Sequence, residues 1–151
     1  MKRFIAVVSL VLSVAACSDS DKATGPDEIT IADLVGSWTA ASLVFTNNAD
    51  PGQTFDVVAA GGETRMTVLN HGGARIWFTL GDFSDEWDAQ LSLSASTLSA
   101  TPVEATRSAR AWTVSLDGNV LTLTDENASF DFTLNGGAEI PVTEVVVFVR
   151  Q

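Results

Sequence analysis

One cysteine and one histidine occur in this 151-residue sequence, and they limit the chemistry that it could perform. A Ser-His-Asp or Cys-His arrangement could use only His71 as its base. His71 lies in the glycine-rich segment 70–73, which is typical of a solvated turn. Zinc sites built on several His or Cys ligands are excluded, and no glycine-rich phosphate-binding motif is present. We therefore predict no catalytic residue, no metal, no cofactor and no enzyme activity.

A cluster of carboxylates is the other candidate for chemistry, because carboxylates at close spacing can bind calcium. Glu86 and Asp88 fall on the polar phase of an alternating segment, and Asp82 lies in a predicted turn. The spacing also differs from that of an EF-hand loop. A solvated strand face therefore explains the cluster better than a metal site, and the segment 125–127 is interpreted as a turn in the same way. The members of the cluster are Asp82, Asp85, Glu86 and Asp88.

The first residues predict export. Lys2 and Arg3 precede an uncharged apolar run over residues 4–16. As a helix this run would rise about 20 Å, short of the ~30 Å hydrocarbon core of a bilayer. Its length and its flanks favour an export signal over a membrane span.

The segment 14–17, Val-Ala-Ala-Cys, resembles the bacterial lipobox, the signal that ends in a lipidated cysteine. The resemblance implies that residues 1–16 are a lipoprotein signal peptide. It also implies that Cys17 becomes the acylated N-terminus and anchors the chain to a membrane of the bacterial cell envelope. Ser18, next to the cysteine, is compatible with the outer membrane. The alternative is an ordinary secretory signal with an incidental cysteine.

The remaining chain divides into a tether and one domain. Residues 18–28 contain no apolar residue larger than Ala, so we predict a flexible tether over residues 17–29. Residues 30–151 suffice for one core and are too few for two. The net charge is −11, and −13 without Lys2 and Arg3, so the basic surface of a nucleic-acid-binding protein is absent.

The body of the domain consists of short segments in which apolar and polar residues alternate. Strands are predicted, among others, at 120–124 and 130–134, with turns at 70–73, 117–119 and 135–137. This spacing leaves no room for the crossover helices of a parallel sheet. The sequence therefore predicts an all-β fold, an antiparallel up-and-down barrel of eight to ten strands.

Two short segments depart from the strand pattern. Thr30 is a good helix cap, so residues 30–34 are expected to form one helical turn. Residues 55–60 fit either a helix or a strand. The sequence does not distinguish between a helix and a strand at residues 55–60.

The motif Gly36-Ser37-Trp38 at the start of the first strand resembles that of lipocalins and lipocalin-like bacterial lipoproteins. The resemblance implies an eight-stranded barrel in which Trp38 plugs the closed end and Arg150 packs across it. A guanidinium stacks well on an indole face. The chain lacks a second lipocalin motif and contains no Tyr, so the expectation is a lipocalin-like domain. The alternative is that Trp38 is a core aromatic of another β-fold.

Two functions from different classes fit such a barrel. The first is a lipid-anchored module that binds a small apolar ligand in its lumen, and a lumen well below ~300 Å³ would argue against it. The second is a structural or interaction lipoprotein with a filled core and an envelope protein partner. Strand phase predicts the inward side chains that would line a ligand cavity or fill the core: Met66, Val68, Ile76, Phe78, Trp87, Leu91, Trp112, Val114, Phe130 and Phe132.

The final strand is apolar on both faces. If Arg150 points inward, the three valines at positions 145, 147 and 149 must point outward. We expect Ile29, Ile31 and Leu34 to fold over this stripe, since an uncovered apolar strand invites association. A partner protein or a second copy of the chain is the alternative cover.

Overall fold

The computed structural model describes residues 28–134 and 136–151. The predicted signal peptide at 1–16, most of the predicted tether and the lipidation site Cys17 lie outside the described residues. Among the described residues, none belongs to a helix long and apolar enough to cross a membrane.

One short helix and nine strands form the regular structure of the described chain. In chain order they are α1 (Ile31–Leu34), β1 (Gly36–Asn47), β2 (Thr54–Asp56), β3 (Glu63–Val68), β4 (Gly73–Leu80), β5 (Phe83–Ser94), β6 (Thr97–Pro102), β7 (Arg110–Asp117), β8 (Val120–Phe130) and β9 (Ile140–Arg150).

Eight of the strands close into an antiparallel barrel. From β3 to β9 each strand pairs with the next along the chain, and β1 pairs with both β3 and β9. The short strand β2 lies outside this ring and pairs with the second half of β1, where Phe55 faces Phe45. The prediction of an all-β, antiparallel up-and-down barrel is therefore confirmed.

The barrel buries every second side chain of its strands, because successive residues of a strand point to opposite faces. In β5, Trp87 and Leu91 are buried inside the barrel, whereas Glu86 and Asp88 are exposed outside it. The buried apolar side chains form one continuous cluster inside the barrel. The turn between β7 and β8 follows the expected hairpin chemistry, since Gly118 has a φ of 56° there.

The helical turn predicted after Thr30 is present as α1. The backbone N–H and the hydroxyl of Thr30 both donate to the Asp33 carboxylate, at 2.8 and 2.6 Å. These bonds hold the pKa of Asp33 below its ordinary value. The helix then ends at Leu34, directly before β1.

The ambiguous segment 55–60 is part strand and part turn. After β2 the Asp56 carboxylate accepts hydrogen bonds from the N–H groups of Val58 and Ala59, which bends the chain into a turn. Gly62 closes this turn. A Cβ there would lie 2.5 Å from the Val57 side chain and 2.6 Å from the carbonyl oxygen of Thr79, so only glycine fits.

Two predictions near the end of β8 are wrong. The segment 125–127 is not a turn, because β8 continues through it with a bulge between Asp125 and Ala128 while β9 stays paired opposite. The Asp125 carboxylate accepts a hydrogen bond from the N–H of Asn127, as it would in a turn. This local hydrogen bond accommodates the bulge within β8. The strand predicted at 130–134 ends at Phe130, so Phe132 lies in the following turn.

The final strand alternates inward and outward side chains as predicted, but the residues expected to cover its outer valines do not do so. Phe148 points inward and is buried, and Val149 points outward with 37% of its surface exposed. The residues expected to cover the outer valines lie elsewhere, since α1 lies nearest to β5 and Leu34 is buried at one end of the barrel. Leu34 removes its whole side chain from water inside the barrel, which is more favourable than packing on a half-exposed outer stripe.

Candidate functional site

One end of the barrel is closed by Trp38 and Arg150. Trp38 is 1% exposed, and its indole N–H donates to the carbonyl oxygen of Leu34 at 2.8 Å. The guanidinium of Arg150 lies over the Trp38 ring, with 4.4 Å between its Cζ and the ring centroid. It also donates to the carbonyl oxygens of Val35, at 2.7 Å, and of Asp33. The last strand, the first strand and α1 are thereby joined beneath the core.

Above this closed end the barrel contains a cavity of about 210 Å³. Its wall is mainly apolar and aromatic, as is usual for sites that bind small molecules. Six of the inward residues predicted to line a cavity or fill the core do line it: Met66, Ile76, Phe78, Trp87, Leu91 and Trp112. The remaining apolar wall consists of Leu43, Phe45, Leu98, Leu123, Val146 and Phe148.

The cavity wall includes one polar side chain without a partner. Thr64 on β3 is 6% exposed, and its hydroxyl is the one buried side-chain polar atom of the described residues that has no hydrogen-bond partner. Leaving such a group unsatisfied costs about 1–3 kcal/mol. The hydroxyl therefore has an unused capacity to donate or accept a hydrogen bond inside the cavity.

Two arginine–carboxylate pairs lie at the open end of the cavity, and each is stacked on a tryptophan. In the first pair, both terminal nitrogens of Arg107 donate to the Asp85 carboxylate at 2.7 Å. The Arg107 Cζ lies 5.2 Å from the centroid of the Trp87 ring. The hydrogen bonds from Arg107 hold the pKa of Asp85 below its ordinary value. This pair joins the loop between β6 and β7 to β5.

The second pair is more deeply buried. Arg110 donates to Glu144 at 2.8 Å and to Asp125 at 3.3 Å, and its Cζ lies 4.9 Å from the Trp112 ring. The indole N–H of Trp112 also donates to Glu144, which is 5% exposed. Burial alone would lower the pKa of Arg110, but Glu144 and Asp125 outweigh it and raise that pKa. The charge of Glu144 is thus compensated inside the barrel.

Phenylalanine side chains form the other side of the open end. Phe130 stacks on Phe45 and Phe55, with ring centroids 4.1 and 5.4 Å apart, and meets the edge of Phe132. Phe83, the first residue of β5, is 60% exposed and meets the edge of Phe78. Together with neighbouring loop residues, Phe130 lines an open depression of about 750 Å³ that shares Phe45 and Phe78 with the cavity. Phe45, Phe55, Phe78, Phe83, Phe130 and Phe132 are called the phenylalanine mouth below.

Four of the ten predicted inward residues do not line the cavity. Val68 and Val114 are buried in the core, whereas Phe130 and Phe132 are half-buried in the phenylalanine mouth. The reason is that β8 reaches the rim of the barrel at Phe130, so the side chains that follow lie above the lumen.

The residues first considered for chemistry lie outside the cavity, with one exception. His71 is exposed in the turn between β3 and β4, at the closed end. Asp88 and Glu86 form ion pairs with Arg75 on the outer surface. Asp85 is the exception, because it lines the cavity. Within residues 28–134 and 136–151, no group of three His, Cys, Asp or Glu side chains is placed to hold a metal ion.

The polar side chains of the cavity wall follow the same inward phase as the apolar ones. Thr64, Asp85, Arg110 and Glu144 each lie two positions from an inward apolar residue of their strand, on the side toward the open end. Extending the inward phase by one step would have found them. Arg107 lies in a loop and has no such phase. The pairs are Thr64 with Met66, Asp85 with Trp87, Arg110 with Trp112, and Glu144 with Val146.

The chain matches no protein-family model, and no curated protein and no solved structure is significantly similar to it. The chemistry of the cavity is therefore inferred from its own residues. Those residues enclose an apolar chamber that is closed at one end and bordered by paired charges and aromatic rings at the other. One hydroxyl in its wall, that of Thr64, has no hydrogen-bond partner among the described residues.

Proposed function

We propose that this protein is a lipid-anchored envelope lipoprotein whose lipocalin-like barrel binds a small apolar ligand. One observation carries the binding function: a mainly apolar cavity of about 210 Å³ lies between the closed end at Trp38 and the phenylalanine mouth. The phenylalanine mouth, which shares Phe45 and Phe78 with the wall of this chamber, is the proposed entrance from solvent. The proposed function is binding without catalysis, and His71 has no role in it.

The volume of the cavity restricts the ligand. At about 210 Å³ the chamber lies below the ~300 Å³ stated above for the ligand-binding hypothesis and below the roughly 300–1,000 Å³ of pockets for drug-sized molecules, which argues against a ligand of that size. A long lipid or a large ring system would not fit without rearranging the core, which resists overpacking. The proposed ligand is therefore compact, on the scale of a single substituted ring.

The location is proposed from the N-terminal residues. The apolar run at 4–16 and the small residues before Cys17 support export, signal cleavage and lipidation at Cys17. Ser18, next to the cysteine, is compatible with the outer membrane as the site of anchoring. The net charge of −13 without Lys2 and Arg3 would keep the domain off anionic lipid headgroups.

Toluene is a suitable probe for the proposed binding function, because it is compact and carries no polar group. We expect saturable binding by calorimetry, accompanied by a change in fluorescence as Trp87 and Trp112 line the chamber. Leu98→Phe should weaken binding, since Leu98 is fully buried in the cavity wall and the larger ring would occupy the chamber.

Leu69→Phe is the matched control for that substitution. Leu69 is half-exposed in the turn between β3 and β4, so the same change there should leave toluene affinity unaltered. Thermal unfolding of both variants would verify that they fold. Equal toluene affinity in the parent and in a folded Leu98→Phe variant would count against the cavity as the binding site.

A protein-interaction function is the second candidate, and the outer face of β9 favours it. Val145 and Val147 are partly exposed and Val149 is exposed, next to Val120 of β8. A continuous uncharged surface on an acidic domain is a candidate contact for an envelope protein partner. Stoichiometric co-purification of an envelope protein that is lost on Val147→Lys, with no binding of toluene, would favour this function.

A further inference from the structure

We infer that the ligand is a neutral, compact molecule with a single hydrogen-bonding oxygen, and that Thr64 recognises this oxygen. The class is that of small cyclic or aromatic alcohols, phenols and ketones. The inference rests on the proposed binding function and adds a polar recognition point to it. Two independent observations carry it: the charge balance of the cavity wall and the free hydroxyl of Thr64.

The charges that line the cavity are already paired. Arg107 is held by both oxygens of Asp85, and Arg110 is held by Glu144. The wall thus presents two positive and two negative groups, each with a partner of opposite sign. A carboxylate ligand would have to break one of these pairs and leave an uncompensated charge at the cavity wall. The lining therefore selects against fatty acids and other ions.

The hydroxyl of Thr64 supplies the polar contact that a neutral ligand can use. It faces the cavity from β3, is nearly fully buried, and lacks a partner among the described residues. Thr64 lies toward the open end relative to Met66 on the same strand. A ligand oxygen bound to Thr64 would therefore point toward the phenylalanine mouth, while its apolar body would lie deeper against Leu98 and Phe148.

The pair of probes p-cresol and toluene tests this inference, because the two molecules differ by one hydroxyl. We expect the parent protein to bind p-cresol with a clear advantage over toluene. Thr64→Val has nearly the same shape but no hydroxyl. It should reduce the ratio of the two affinities by about tenfold, the equivalent of one buried neutral hydrogen bond. Toluene affinity itself should not fall, because toluene makes no hydrogen bond with the hydroxyl.

Two further variants separate recognition from a general effect on the strand. Thr64→Ser keeps a hydroxyl and should retain a preference for p-cresol. Thr67→Val makes the same chemical change on the exposed side of β3 and should leave the affinity ratio unchanged.

The outcomes distinguish this inference from the proposed function. If toluene binds and the ratio of p-cresol to toluene affinity is the same in Thr64→Val as in the parent, the role of Thr64 is overturned. The cavity then remains the proposed binding site. If octanoate binds more tightly than p-cresol, the selection for neutral ligands is overturned. If neither toluene nor p-cresol binds the folded protein, the proposed function fails and this inference fails with it.

Discussion

Arg150 lies across the indole ring of Trp38, with its guanidinium carbon 4.4 Å from the ring centroid. The same guanidinium donates to the carbonyl oxygens of Asp33 and Val35 at the C-terminal end of α1. One side chain near the end of the sequence therefore connects the last strand, the first strand and the helix. This connection closes that end of the barrel.

Arg150→Ala should lower the free energy of unfolding by about 2 kcal/mol, because it removes a cation–π contact and leaves two carbonyl groups without their donor. Arg150→Lys should restore only part of the loss, since an ammonium cannot lie flat on the ring and reach both carbonyls. Urea unfolding measures both changes. Arg75→Ala, at an exposed ion pair with Asp88, is the control and should have a much smaller effect.

Thr64→Val should stabilise the ligand-free protein by about 1 kcal/mol, because it removes a buried hydroxyl that has no partner. Thr67→Val on the outer face of the same strand should change the free energy of unfolding by less than about 0.5 kcal/mol. Thermal unfolding without ligand provides the comparison. A destabilised Thr64→Val variant would mean that the hydroxyl has a structural partner.

Arg110→Met should destabilise the fold by about 3 kcal/mol, because it leaves the buried Glu144 carboxylate without its cation. Arg65 offers a matched control, since it also lies over a tryptophan and beside a glutamate, but on the outer surface. Arg65→Met should cost much less. Similar losses in the two variants would argue against a buried, charge-compensated Glu144.

The pair of Asp85 and Arg107 should make stability depend on acid pH. Arg107 holds the pKa of Asp85 below its ordinary value of 3.8, so the folded state binds the proton less readily than the unfolded state. The stabilisation is fully present above pH 3.8 and is lost as the pH falls through the lower pKa of the folded state. The difference in unfolding free energy between the parent and Asp85→Asn should follow this course. In an Arg107→Gln background the loss below pH 3.8 should be much reduced, and an unchanged profile there would contradict the assigned cause.

Cys17→Ser should release the protein from the membrane fraction or leave it as uncleaved precursor, because serine cannot receive the thioether-linked lipid. Cell fractionation and intact-mass measurement distinguish the parent from the variant. A variant that is processed and membrane-bound like the parent would contradict the proposed lipidation.

The sequence predicted the barrel well because alternation is a local property. The inward position of Trp87 and the outward position of Asp88 follow from the pleat of a single strand. The continuation of β8 through Asp125 was missed, since a polar triplet looks like a turn until the opposite strand is known to continue. The contact of Arg107 with Asp85 was not predictable, because a loop residue has no phase and its partner is 22 positions away.

The most direct test of the central claim uses Met66. It is the only methionine after Met1, it is buried, and it lines the cavity, so its methyl group reports on the chamber alone. With ¹³C-methyl-labelled methionine, adding toluene should shift the Met66 methyl resonance saturably through the ring current of the bound probe. If this resonance stays in place up to the solubility limit of toluene while the protein remains folded, the barrel interior is a filled core and the account of a ligand cavity is wrong.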